Sequence, residues 1–225
     1  MPATMPTTFS PTYRTVVRYT DRRGKAIYIA DKYAPILIGS ILDVGCDEAP
    51  LRNLVHQPFR YTGVDIRPGS DVVVDLDREA LPFPDRNFDT VLCTDVLEHL
   101  ERCHAVFDEL CRVSRSRVII SLPNPVRNLV CGLADGSGGT LKYYGLPVDP
   151  PADRHRWFFG HDEAVEFMTQ RGRRCGFAVE QIDAEPGEPP RWADPAGKNL
   201  LDHSNIRGGT LWCVLRRTDS EGGGK

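Results

Sequence analysis

Between Ile41 and Asp65 the chain reads ILDVGCDEAPLRNLVHQPFRYTGVD, and the residue types in that stretch suit the binding of a nucleoside. An apolar run ends in Asp43-Val44-Gly45, a turn beginning with Cys46 follows, and a second apolar run ends in Asp65. Asp65 stands at the spacing expected of an acid that holds a ribose diol, because an ionised carboxylate accepts from both hydroxyls. Gly45 lets backbone approach a ligand closely. Ile66, next to the acid, is placed to cover one face of a base. Three histidines, His99, His155 and His161, are candidate proton acceptors, since imidazole titrates near neutral pH. His99 and His104 are spaced so that they do not share a helical face, so no metal pair is expected.

Such residues need a strand–turn–helix–strand unit, which presents a nucleoside site at the carboxyl ends of two parallel strands. The apolar patterning supplies one. Arg22 to Ile38 has helical spacing and meets Pro35, which ends or kinks a helix. Ile41–Val44 is the first strand, and Pro50, Leu51, Leu54 and Val55 predict a helix after the turn. Tyr61–Ile66, Asp71–Asp75 and Phe88–Cys93 are the next strands. Asp95 to Val113 is a strongly amphipathic helix, and Arg117–Leu122 is strand five. His161 to Arg171 is a further helix, with Gly176–Ile182 and Gly209–Leu215 as two last strands. The expected fold is α/β: a Rossmann-like, doubly wound, mostly parallel seven-stranded sheet with one antiparallel strand near the C-terminus. Two long segments, Asn124 to Gly160 and Glu185 to Arg207, break the alternation. The first carries enough aromatic residues to form an ordered cap.

The spacing from Gly45 to Asp65 admits a nicotinamide dinucleotide. The turn argues against one, because a dinucleotide fingerprint needs glycines so that pyrophosphate can rest on bare backbone. Here the positions after Gly45 are Cys46-Asp47-Glu48-Ala49-Pro50, and two carboxylates repel a diphosphate. S-adenosylmethionine carries a sulfonium and an ammonium and no phosphate, so the same acids suit it.

ILDVGC resembles motif I of the class I S-adenosylmethionine-dependent methyltransferases. GVDI is similar to the acid-bearing end of their second strand, and LPFPDRNFDTVLCTDVLEHL to the LPF…FD…EH block of their methyltransferase-11-type branch. The resemblance runs from Ile41 to Pro123 in consistent order. It implies that S-adenosylmethionine is the cofactor and that the protein is an S-adenosylmethionine-dependent methyltransferase. It also implies cofactor roles for Asp43, which orders the first loop through backbone N–H groups, and for Asp75 and Leu76 at the adenine edge, with Asp77 as a competitor. Thr94 lines cofactor and acceptor, and Glu98-His99 matches the EH pair. The family usually writes GCGxG in the first loop. This chain lacks the second and third glycines, so an altered loop, or a non-catalytic regulatory or partner protein with a degenerate loop, is the alternative. The segment KYYGLPVDPPADRHRWFFG follows strand five, where this fold places acceptor-binding elements; Tyr143, Tyr144 and His155 are the acceptor-site candidates.

The remaining bounds are coarser. With 225 residues and a formal net charge of −3, one domain over residues 12–218 is expected, with a cap insertion at about 124–160. The termini, 1–11 and 219–225, are expected to be flexible. No stretch of about 18 apolar residues occurs, so a membrane span is not expected. The seven cysteines are odd in number and lack a CxxC, which favours reduced thiols in a cytoplasmic protein over disulfides or zinc. No (N/D)PP(Y/F) run follows strand four and no basic aromatic stripe appears. A small-molecule or saccharide acceptor, methylated on oxygen or nitrogen, is therefore expected, with nucleic acid disfavoured.

Overall fold

The computed structural model describes residues 19–54, 59–134, 143–186 and 204–218; the expectations for 1–11, Val55 and 219–225 fall outside them. Seven strands among these residues, β1 (Gly39–Val44), β2 (Phe59–Asp65), β3 (Val72–Val73), β4 (Phe88–Thr94), β5 (Ser114–Leu122), β6 (Phe177–Pro186) and β7 (Gly208–Arg217), form one sheet in the order β3-β2-β1-β4-β5-β7-β6. The pairs among β1 to β5 are parallel. β7 is antiparallel to both β5 and β6. The expected mostly parallel sheet with one antiparallel strand is what the chain forms.

Strand periodicity of two explains why helices cover both faces. Ile41, Leu92, Ile119, Trp212 and Val214 point to one side and pack against α1 (Arg22–Lys32). Their neighbours Leu42, Val91, Val118, Ile120 and Cys213 point to the other side, where Phe107 of α2 (Cys103–Val113) and Met168 of α4 (His161–Arg174) meet them. β1 therefore reads as an almost unbroken buried run. The described cysteines are all free thiols, five of them buried.

The helical expectations need three corrections. Among the described residues between β1 and β2 the helical structure is a 3-10 turn, Pro50–Asn53; the first loop uses the chain up to Ala49. The stretch after β4 is a 3-10 turn, Leu97–His99, followed by α2, and not one helix. The Glu98 carbonyl, which would accept from Arg102 in a continuous helix, accepts from Arg156 N–H at 2.7 Å. Likewise the Leu100 carbonyl accepts the Trp157 indole N–H at 2.7 Å, while Arg102 N–H donates to Asp77 Oδ1 at 3.1 Å. Tertiary partners replaced the helical ladder. Finally, the segment after β5 opens with α3 (Pro125–Ala134), and α5 (Ser204–Arg207) precedes β7.

One buried ion pair ties α1 to the antiparallel end of the sheet. Lys32 is 3% exposed, and its Nζ lies 2.5 Å from Asp183 Oδ1 and 2.8 Å from the Tyr28 hydroxyl. The rings of Tyr28, Tyr33 and Trp212 surround it at 5.0, 5.2 and 5.4 Å. Removing one member of such a pair strands the other. Lys32→Ala is expected to lower the unfolding free energy in urea by about 3–5 kcal/mol, and Lys32→Met combined with Asp183→Asn to recover most of it.

Candidate active site

β1 continues to β2 on one side, while β4 leads away on the other, so the strand order reverses between β1 and β4. In open α/β sheets the crevice at that point, beyond the carboxyl ends of the strands, is where ligands bind. Two loops form its walls. In the first, Gly45 and Cys46 N–H both donate to the Val64 carbonyl, at 2.8 and 3.1 Å. Gly45 has φ 76, and a Cβ on it would lie 2.2 Å from Val96 Cγ2 of the second loop. Glycine is thus required there twice, by backbone and by space.

Where the family's usual GCGxG has its second and third glycines, this chain has Asp47 and Ala49. Asp47 and Ala49, which occupy their positions, have φ 51 and 53, the left-handed conformation that costs an L-residue about 1–2 kcal/mol. The loop thus carries the strain of two non-glycine residues at positive φ.

Its acids are wired differently from expectation. Asp43 does not reach the loop N–H groups; its Oδ2 accepts from the Tyr61 hydroxyl at 2.6 Å. Burial pushes the Asp43 carboxyl up to about 6, against the pull of the Tyr61 hydrogen bond and the Lys25 charge. Asp65 orders the loop instead, accepting from Asp47 N–H at 2.8 Å and from Arg67 N–H at 3.0 Å. Each oxygen keeps a lone pair for a ligand hydroxyl. Asp47 is not a bare carboxylate: Arg22 of α1 and Arg67 both pair with it. Burial opposes its charge, but the Arg22 hydrogen bond and the two guanidinium charges prevail and hold its pKa below the ordinary value. The repulsion of a diphosphate inferred from Asp47 is therefore largely cancelled, and the identity of the cofactor rests on other grounds. Ile66 is 62% exposed beside Asp65. Asp75 accepts from Asp77 N–H at 3.1 Å and pairs with Arg78. Leu76 faces the core, and Asp77 is engaged by Arg102.

Lys25, which sequence reasoning missed, reaches across from α1 to the Thr94 carbonyl at 3.1 Å and to Asp95 Oδ2 at 2.7 Å. Nothing local marks it, because its partners lie about seventy residues away.

The second loop and the segment after Tyr143 build the other end of the crevice. His99 Nδ1 lies 2.6 Å from Asp153 Oδ1, and its ring meets that of His155 edge-on at 4.5 Å. Tyr143 stacks on His155 at 4.2 Å with the planes 2° apart. The Tyr144 hydroxyl lies 3.2 Å from His155 Nδ1 and donates to the Trp157 carbonyl. Beneath them Glu98 is 2% exposed, and its Oε2 has no hydrogen-bond partner. Burial, with the Asp95 charge adding, raises its pKa well above the carboxylate range. Burial and the neighbouring His99 lower His155 to about 4. Beside the cluster lies a cavity of about 260 Å³, walled by Leu97, Glu98, Trp157, Phe158 and Phe167. His161 is not part of this group: it starts α4 against Gly208. Trp157 pins the segment to Leu100 through its indole N–H.

Sheet order and crevice are those of the class I S-adenosylmethionine-dependent methyltransferases. Residues 42–122, from β1 to the end of β5, match the methyltransferase-11 family model, described as a methyltransferase domain. Solved structures agree in fold. A methyltransferase from Methanosarcina mazei is similar at 16% identity and TM-score 0.52, over 81% of this chain and 95% of that one. The small RNA methyltransferase HEN1 is similar at 17% and TM-score 0.57, over 87% of this chain and 25% of that one. The 1,6-didemethyltoxoflavin-N1-methyltransferase of Burkholderia thailandensis, with bound 1,6-didemethyltoxoflavin and S-adenosylhomocysteine, is similar at 17% and TM-score 0.51, over 88% and 78%. No curated protein matches the chain. The protein is an S-adenosylmethionine-dependent methyltransferase, with S-adenosylmethionine as its cofactor.

Two stability measurements check this loop. Ala49→Gly relieves a left-handed alanine and is expected to raise stability by about 0.5–1 kcal/mol after the added unfolded-state entropy is deducted, read as a higher Tm. Asp43 has a raised pKa in the folded state, so the folded protein binds more protons than the unfolded chain between about pH 4 and pH 6. Stability from this group therefore falls as pH rises through that window, by an amount on the order of 2–3 kcal/mol. Asp43→Asn, which keeps an acceptor for Tyr61, should flatten that slope in urea titrations across pH 4–7.

Proposed function

We propose that the enzyme transfers the methyl group of S-adenosylmethionine to an oxygen or nitrogen atom of a small-molecule or saccharide acceptor. In this reading Gly45 and Cys46 lie against the methionine part, Asp65 takes the ribose hydroxyls, and Ile66 covers the adenine. Asp75 and Leu76 meet the adenine edge, and Asp43 and Thr94 support the floor. The observation that carries the acceptor assignment is the cluster of His99, Tyr143, Tyr144 and His155 next to an aromatic-walled cavity of about 260 Å³. That volume fits a group the size of one ring better than a long polymer. The segment 143–160 acts as an acceptor cap, and residues 12–218 work as one domain.

The chemistry is an in-line displacement on a carbon already activated by the sulfonium. Aligning the two reactants is worth on the order of 7–11 kcal/mol. A hydroxyl acceptor must also lose a proton, and that task falls to His99 and His155, directly or through what they bind. Against the degenerate-loop alternative stands the positive φ of Asp47 and Ala49, a backbone that a glycine would also adopt.

Asp65→Ala should weaken S-adenosylmethionine binding about 10–100-fold in calorimetry, the loss of two charge-assisted hydrogen bonds. Transfer of labelled methyl is then measured on panels of hydroxylated small molecules, saccharides and RNA. Labelling of RNA alone would overturn the acceptor assignment. With an accepted substrate, His155→Ala should slow turnover about 10²–10⁴-fold, whereas His161→Ala should leave it unchanged.

A further inference from the structure

We propose that Glu98, His99 and His155 bind a divalent first-row transition-metal cation at the acceptor end of the crevice. One donor atom from each of the three residues lies within 4.8 Å of the others. Ligand bonds of about 2.0–2.2 Å put neighbouring donors roughly 3–3.5 Å apart, so the side chains need to draw in by about 1 Å.

Three observations besides proximity point to a cation. Glu98 is 2% exposed and its Oε2 is unpartnered; a buried carboxylate oxygen normally has a partner. Both histidines have their Nδ1 side engaged. Asp153 accepts from His99 Nδ1–H at 2.6 Å. The Tyr144 oxygen, whose own proton goes to the Trp157 carbonyl, accepts from His155 Nδ1–H at 3.2 Å. Each imidazole is thereby held as the tautomer with a lone pair on Nε2, and His99 Nε2 lies 3.8 Å from Glu98 Oε1. This carboxylate–histidine arrangement is how proteins orient metal-binding imidazoles. Two imidazoles and one carboxylate suit zinc, iron(II), cobalt(II) or manganese(II) better than magnesium or calcium. The pairing is invisible at helical spacing, because His155 arrives from beyond β5; the expectation of no metal weighed the cysteine spacing and the pair His99 and His104.

The site rests on the reading that this end of the crevice takes the acceptor, and it sharpens that reading to an acceptor with a hydroxyl group. The three residues leave coordination positions open for that oxygen, whose proton is acidified and released to water. The oxygen electron pair then forms the bond to the methyl carbon. The carbon–sulfur pair leaves with sulfur as S-adenosylhomocysteine.

Cobalt(II) chloride titrated into the full chain, stripped with EDTA and desalted, tests the site by visible absorption. One equivalent should bind with ligand-field bands and no thiolate charge-transfer band. Glu98→Gln and His155→Ala should each weaken binding at least about 100-fold. Asp153→Asn, at a side chain 56% exposed and so harmless to folding, should weaken it about 10–100-fold. Absence of saturable binding, a thiolate band, or equal affinity in the wild type and Glu98→Gln would overturn the site. Calorimetry with S-adenosylmethionine on the same samples separates the two ideas. Intact cofactor binding without cobalt binding sinks only the metal site, whereas lost cofactor binding in the folded wild type sinks the proposed function.

Discussion

At Gly45 the chain turns with φ 76 so close to Val96 that a methyl group in place of its hydrogen would lie 2.2 Å from Cγ2. That contact locks the loop after β1 to the loop after β4, and both ends of the crevice depend on it. On one side it sets the path of Asp47 and Ala49, whose left-handed conformations continue the turn. On the other it holds Val96, after which the 3-10 turn Leu97–His99 carries Glu98 inward and His99 toward the cap. A larger residue at position 45 would push the loop after β1 and the loop after β4 apart together.

Around that contact the charges are arranged by distance in space and not in sequence. Arg22 and Lys25, within one turn of α1, reach the two loops separately: Arg22 pairs with Asp47, and Lys25 with Asp95. The helix thereby clamps both walls of the crevice. The same arginine neutralises the acid that looked, in the linear sequence, like a barrier to phosphate. A charge argument from neighbours in sequence failed because the countercharges come from elsewhere in the fold. The resemblance over β1–β5 did not depend on it.

Much of the fold was legible because burial is periodic. β1, β4 and β5 are apolar on both faces, as strands between two helical layers must be, and α4 kept its helical stripe. What could not be read was where hydrogen bonds would leave the helical ladder. The amphipathic run from Asp95 to Val113 is a sound helix pattern, yet Arg156 and Trp157 take the carbonyls of Glu98 and Leu100, and the first part becomes a tight turn. The residues that line the crevice were legible in part. Asp65, His99, Tyr144 and His155 stood out by type and setting, while Lys25, Arg22 and Tyr61 did not, since nothing in their local sequence differs from that of solvent-facing residues.

The amino-acid sequence by itself determined the α/β class, the single antiparallel strand and the nucleoside-binding unit between Ile41 and Asp65. These follow from short-range periodicity and from a few residues whose chemistry is specific. Only the tertiary structure decided that Asp47 would be paired, that Asp43 would bond Tyr61, and that His155 would face His99 over a buried Glu98. Such choices depend on which groups converge when distant segments dock, and a buried polar atom takes the partner that is near it in space.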